Sequence, residues 1–310
     1  MRRFTRTPCY RGPDDPERGK IRDTLKLGET VVIETVGGHD QDYEAIGKCL
    51  AGDIMEVHPP RQSRPGGPFA VEGIRAGEWI AVQILAIEVG PYGFYRNGGP
   101  FFGSMRMVAP VRDGLVHFPP DFVVPVRPMI GVIQVESVAA YEIDHGGNMD
   151  FNSVQPGSTI HLRTQKDGAL LSLGDVHARM GDGEMTGTGV EIDSAVTLRV
   201  DRSPGFPCGS PVVEKTRLIE SEEEYLTSGQ GATWEEAARI AWFGMVSLIA
   251  DRYQTTVEYA NLVVGTIGDF RPGYAAGLLS QRGRPSSGAY VTCQVAVTKA
   301  LRRTGHPYVP

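Results

Sequence analysis

The 310 residues carry 31 basic and 37 acidic side chains, a formal net charge of −6, and 41% hydrophobic residues. A mildly acidic chain without a basic cluster excludes nucleic acid and anionic membranes as expected partners, and no apolar run is long enough to cross a bilayer. The length suits one large domain or two intimately packed halves, drawn here as β-rich residues 1–128 and 129–310 in a single compact unit.

The four cysteines, Cys9, Cys49, Cys208 and Cys293, have neither metal-site nor redox spacing and read as reduced thiols of a cytoplasmic protein. Met1-Arg2-Arg3 is not followed by an apolar stretch, so no signal peptide is expected. Glycine (39) and proline (22) together make up about a fifth of the chain, without a collagen period. Many tight turns between short strands are the natural reading.

In chain order, the first twenty-odd residues are polar and irregular, suited to wrapping the surface or touching a partner subunit. Val31–Thr35 predicts a strand ending at Gly37-Gly38, and residues 58–68 a Pro/Gly/Arg loop. Glu78–Val89 predicts a long strand with apolar residues on both faces, hence burial on both sides. Residues 90–104 predict a Gly-, Tyr- and Phe-rich loop. Met129–Ser137 and Thr159–Thr164 predict further strands. In Ala195–Asp201, Val196, Leu198 and Val200 alternate with Thr197, Arg199 and Asp201, as in a sheet with one wet face. Glu222-Glu223-Glu224 reads as a solvated turn or helix start.

Thr233 and Glu236 form a capping box ahead of an apolar stripe at Trp234, Ala237, Ala238, Ala241, Met245, Leu248 and Ile249, which predicts a long helix. Thr255 and Glu258 predict a second helix running to about Val264, then a Gly/Arg-rich loop from Gly265 to Gly288 and a strand from Tyr290 to Val297. The expected fold class is mainly β (α+β), with β-sandwich or jelly-roll-like sheets and a late helical pair.

Chemistry-bearing residues concentrate between Asp144 and Glu191. This stretch contains Asp144-His145-Gly146-Gly147-Asn148-Met149-Asp150, Gly174-Asp175-Val176-His177, Gly181-Asp182-Gly183-Glu184 and Gly187-Thr188-Gly189-Val190-Glu191. Imidazoles with carboxylates suit zinc and similar divalent ions, and glycines let the backbone approach a ligand closely. Each Asp-Gly pair alone is equally an ordinary hairpin turn. The joint occurrence is what singles out the region. His58, His117, His161 and His306 stand outside any motif and read as surface or satisfied-core residues. There is no Gly-x-Ser-x-Gly elbow, and Cys208 has no base arranged beside it in sequence.

The series His145–Asp150, Gly168–Asp175, His177, Gly181–Glu184 and Gly187-Thr188 resembles the acetamidase/formamidase family. Gly66–Gly73, Arg127–Ile133 and the late helix extend the resemblance to about residues 25–265. Where the family usually has Gly-Asp-Gly-His-Ala, this chain has Val176 in place of the middle glycine. The early pattern around Gly37–Asp40 and the Arg-rich stretch Gln281–Pro285 also depart from it.

The resemblance implies hydrolysis of a small carboxamide to ammonia and a carboxylate by a metal-activated water, in an oligomer built from dimers. On that basis His145, Asp175 and His177 are assigned as ligands of a divalent metal, zinc first, with Asp150 as a fourth. Glu184 is assigned as general base and acid, and Asn148 as a hydrogen-bond donor to the amide or oxyanion. The rival readings are a cupin-like metal isomerase or dioxygenase, which lacks its usual His-x-His here, and a non-catalytic small-molecule-binding relative, which Val176 keeps open.

Overall fold

A computed structural model describes residues 1–5, 20–37, 66–97, 105–118, 122–135, 145–184, 187–209, 211–216, 223–275 and 291–301. Among them the fold is mainly β. The N-terminal strands are β1 (Arg2–Phe4), β2 (Asp23–Leu25), β3 (Thr30–Thr35), β4 (Gly66–Val71) and β5 (Trp79–Asn97). They are followed by β6 (Met105–Arg112), β7 (Leu115–Phe118), β8 (Phe122–Pro125) and β9 (Met129–Val135). Strands β10 (Gly146–Asn148), β11 (Thr159–Arg163), β12 (Leu171–His177), β13 (Glu191–Ser203), β14 (Val212–Thr216) and β15 (Glu223–Gly231) precede helices α1 (Trp234–Arg252) and α2 (Val257–Ile267). Strands β16 (Asp269–Pro272) and β17 (Val291–Thr298) follow.

The pairings form a large mixed sheet. β1 with β3 and β2 with β4 are parallel, whereas β13 lies antiparallel between β3 and β5. Strands from before and after residue 128 therefore interleave. The alternation in β13 is realised: Val196, Leu198 and Val200 are buried while Arg199 is exposed.

β5 corrects two expectations. It runs on to Asn97, so part of the expected 90–104 loop is strand, held by pairing with β6 at Tyr92–Asn97. Nor is it buried on both faces. Its register against β13 jumps from Thr197↔Ala86 to Leu198↔Ile84, leaving Leu85 unpaired in a bulge, 41% exposed. One extra residue reverses which side chains point inward. Ile80, Val82 and Ile84 face the core before it, and Ile87 and Val89 pack against the core after it. Gly66–Pro68, expected in a loop, opens β4.

The larger apolar core lies among the strands and includes Phe69, Ile130, Phe151, Leu173 and Val176. A second joins α1 to β15 and β17 through Ala241, Met245, Tyr225, Val291 and Val295. The Thr233 hydroxyl caps α1 by accepting from Glu236 N, and the Glu236 carboxylate accepts from Ala232 N. The second cap is Thr256 rather than Thr255, because it is the Thr256 hydroxyl that accepts from Tyr259 N, and that helix extends to Ile267. Of the acidic run, Glu222 lies outside the described residues, whereas Glu223 opens β15 in place of the expected turn or helix start, and Glu224 is buried with Arg271 gripping both its oxygens at 2.8 and 2.9 Å. Cys293 is a buried free thiol. Cys9, Cys49, His58, His306 and residues 38–40 and 281–285 lie outside the described residues.

Candidate metal centre

β9 is the floor of the site. β10 pairs with it through Gly147↔Ile133, and β12 pairs through Gly174↔Val132, Val176↔Ile130 and His177↔Met129. Asp150 lies just past β10, where Met149 N and Asp150 N both donate to Gly131 O at 3.0 and 3.2 Å. Asp175 projects from β12 opposite Gly131. A Cβ on Gly131 would sit 2.5 Å from Asp150 Oδ1 and 3.1 Å from Asp175 Oδ2. The glycine thus provides the space in which both carboxylates crowd onto one strand.

Asp150, Asp175 and His177 converge: one donor atom from each lies within 4.8 Å of the others. His177 Nε2 is 3.9 Å from Asp175 Oδ1 and 3.6 Å from Glu184 Oε1. These distances are too long for hydrogen bonds. They are close to the ligand-to-ligand edge of roughly 3.4 Å in a tetrahedral shell with metal–ligand bonds of about 2.0–2.2 Å. His177 Nδ1 lies 3.2 Å from Met129 Sδ. A proton on Nδ1, donated to that thioether, leaves the Nε2 lone pair facing the carboxylates. Burial pushes the His177 imidazole pKa below its usual value, against the pull of Asp175, which favours the neutral form a metal needs.

The carboxylates shift the other way. Asp150 is pushed well above the usual carboxylate range by burial, then by the charges of Asp175 and Glu191. Asn148 opposes this from beside Asp150, although neither Asp150 oxygen accepts a hydrogen bond of good geometry. Glu184 is raised by burial and by Asp150, Asp175 and Glu191, opposed by the Gly189 N–H that donates to its Oε1 at 3.0 Å. Buried acids raised by their own like-charged neighbours are short of positive charge.

Among the described residues, eight buried side-chain polar atoms lack a hydrogen-bond partner, and four of them belong to this group: Asp150 Oδ1 and Oδ2, Asp175 Oδ1 and His177 Nε2. All four can offer lone pairs to one centre. A divalent cation fits that donor set in chemistry and charge. Backbone strain marks two of these residues and Glu184. Asp150, Asp175 and Glu184 have φ of 50°, 53° and 43°, three of seven non-glycine residues in the left-handed region among the described residues, where strain persists only when the surroundings enforce it.

The structure brings together three of the four assigned ligands. Asp150, expected as the extra one, is central, whereas His145 is buried with an unpartnered Nδ1 but lies outside the three-residue group. Glu184 is beside the group, and Asn148 neighbours Asp150. Asp182 accepts from Asn152 Nδ2 at 2.7 Å instead. Val176 is fully buried and belongs to the larger apolar core. Glu191, opposite His177 in the β12–β13 pairing, acts on both raised acids, yet the sequence reading gave it no role. Its place at the end of the motif series was the available signal. His161 is buried, with Nδ1 2.9 Å from Ser203 Oγ and Nε2 3.0 Å from Glu214 Oε1. A separate cleft of about 400 Å³, lined by Arg3, Phe4, Lys20, Arg22, Glu34 and Gly67, includes none of the converging residues.

Fold and site together define a β-rich protein with a buried carboxylate–imidazole centre suited to a divalent ion. Residues 133–232 match the acetamidase/formamidase family model. The chain is 24% identical over 261 residues to a candidate formamidase of Schizosaccharomyces pombe, covering 60% of this chain and 62% of that protein. It is 31% identical over 102 residues to the formamidase of Methylophilus methylotrophus, covering 31% and 25%. The matches thus span less than two thirds of either relative. The crystal structure of an acetamidase from Bacillus halodurans shares the fold, with a TM-score of 0.75 at 24% identity over 96% of this chain and 97% of that one. The likeness to the acetamidase/formamidase family therefore rests on residues 133–232 and on the shared fold. Among the described residues no helix is long and apolar enough to cross a membrane.

Proposed function

We propose that this protein hydrolyses a small linear carboxamide to ammonia and a carboxylate with a metal-activated water. The observation that carries the reading is the set of four orphaned lone-pair atoms on Asp150, Asp175 and His177, in a chain with this family likeness. These three residues would hold the ion. Zinc is favoured because one imidazole nitrogen and two carboxylate oxygens form a mixed set that it accepts readily. A bound divalent ion would polarise the amide carbonyl and lower the pKa of a water.

The chain supplies the proton traffic. Glu184 Oε1 lies 3.6 Å from His177 Nε2, beside the metal position. Its raised affinity for protons lets it take one from the attacking water and deliver it to the departing nitrogen as the C–N bond breaks. Gly189 N–H fixes the carboxylate that does so. Asn148 is proposed to hydrogen-bond the amide or oxyanion from its place next to Asp150. His145 keeps its proposed place beside the centre, although the ligand argument rests on the other three. The reading includes a cytoplasmic, homo-oligomeric protein, supported by the free thiol of Cys293 and by the likeness to the family. Val176 was the feature favouring a non-catalytic relative; its place in the apolar core supports a packing role instead.

The test is ammonia release from aliphatic, aromatic and formyl amides, with zinc, manganese or calcium supplied and then chelated. The expected result is release from at least one amide, abolished by chelator and by His177→Ala or Asp175→Ala. No ammonia from any amide under any metal condition overturns the proposal.

A further inference from the structure

The two acidic segments of the centre are far apart in sequence, and β17 joins them. Thr292 is fully buried on that strand. Its hydroxyl donates to Met149 O at 2.7 Å, the carbonyl of the residue before Asp150. The same hydroxyl accepts from Tyr274 N. Tyr274 is bridged in parallel to Gly183, the residue before Glu184, and Ala275 N donates to Gly183 O at 3.0 Å. One hydroxyl therefore links, through Met149 on one side and through Tyr274 and Gly183 on the other, the backbone that aims Asp150 to the backbone that aims Glu184.

The surroundings leave that hydroxyl little freedom. A Cβ on Gly273 would sit 2.2 Å from Thr292 Oγ1 and 2.3 Å from the ring of Phe151, the residue after Asp150. Gly273 N donates to Thr292 O and Thr292 N to Tyr274 O, each at 2.9 Å. A β-branched residue in such a strand is stiff at χ1, and one hydroxyl can donate once and accept at the same time. Valine would keep the shape and lose both bonds. Thr227, on β15, is an internal contrast: equally buried, it donates to Ala241 O in α1 and touches neither acidic segment.

We propose that Thr292 is a positioning residue, holding the Asp150 and Glu184 segments at the separation that lets both carboxylates face one ion. This rests on the proposed metal-dependent amidase reading, and the test keeps the two apart. Metal-free wild type, Thr292→Val, Thr292→Ser and Thr227→Val are titrated with zinc alone by calorimetry, melted without metal, and assayed for ammonia release. The expected result is a loss of zinc affinity of about 10–100-fold in Thr292→Val, as when other outer partners of metal ligands are removed, with Thr292→Ser near wild type. Thr227→Val should lower the melting temperature and leave zinc affinity within about threefold. Should Thr292→Val not fold, Thr292→Cys, a weak donor of serine-like size, replaces it with the same expected order. Where ammonia is released, kcat should fall with zinc affinity in the Thr292 series and not in Thr227→Val. A wild type that binds zinc without releasing ammonia sinks the amidase reading while the zinc series still decides on Thr292. Equal losses in Thr292→Val and Thr227→Val, failure of serine to restore binding, or a wild type with no zinc affinity overturns the proposal.

Discussion

Gly131→Ala should damage the metal centre without altering any residue that donates to it. Gly131 has no unusual φ, so alanine is not excluded by backbone conformation; the conflict is spatial. Its methyl group would lie 2.5 Å from Asp150 Oδ1 and 2.8 Å from the Asp175 carbonyl, whereas ordinary contact begins at 3.4 Å. The Asp150 oxygen must retreat by about 0.9 Å (3.4 less 2.5 Å), and the Asp175 carbonyl on β12 must withdraw from β9 by about 0.6 Å (3.4 less 2.8 Å). A misplacement of about 1 Å costs on the order of 10²-fold in rate, and disturbed support of a metal ligand costs about 10–100-fold in affinity. Overpacking adds a stability loss of about 1–3 kcal/mol. Zinc calorimetry and ammonia release read the first two effects, and thermal melting reads the third. Gly181→Ala, in the loop leading to Glu184, is the control, since nothing lies within 4 Å of its Cβ position. If Gly131→Ala keeps zinc affinity and rate within about threefold of wild type, the crowding argument is wrong.

Val176→Ala should cost about 2–3 kcal/mol of stability by opening a hole in the core, with the ratio of kcat/KM between formamide and longer amides unchanged; a shifted ratio would place Val176 in the pocket after all. Glu214 is held at a pKa of about 2 by hydrogen bonding with His161 and by Lys299, against the opposing effect of burial. Its folded pKa is depressed, so its contribution is present above the unfolded value of 4.5 and is lost as pH falls towards about 2. After allowance for screening at this half-buried site, Glu214→Gln should lower stability by about 1–2 kcal/mol at neutral pH and by almost nothing near pH 2. A deficit in denaturant melts that stays constant over that range would refute this linkage.

The strands and helices with clean periodicity were legible in the sequence. β13 alternates as written, and Thr233 with Glu236 marks the start of α1 because capping is a local matter. β5 was misread for a physical reason. The bulge at Leu85 reverses the inward parity partway along, so apolar residues at both parities look like two buried faces when only one is wet-excluded at a time. The site was legible as a region, since Asp150, Asp175, His177 and Glu184 all fall within the polar, Gly-rich stretch. Which side chains converge was not, because that depends on how β9 pairs with β10 and β12. Gly131 and Thr292 illustrate the gap: neither carries chemistry of its own, and each matters only through residues that tertiary pairing sets beside it.

The β17 connection also bears on the order in which the molecule is completed. The hydroxyl of Thr292 reaches Met149 across 143 positions of chain. During synthesis from the N-terminus at about 5–20 residues per second, Asp150, Asp175, His177 and Glu184 all emerge many seconds before it. Contacts this distant in sequence form late, because closing so long a loop costs chain entropy before the contact repays it. A growing chain thus exposes a loose set of acids and one imidazole well before it can hold them in register. Selective capture of an ion is therefore expected to be a property of the finished chain, acquired when its last described strand docks.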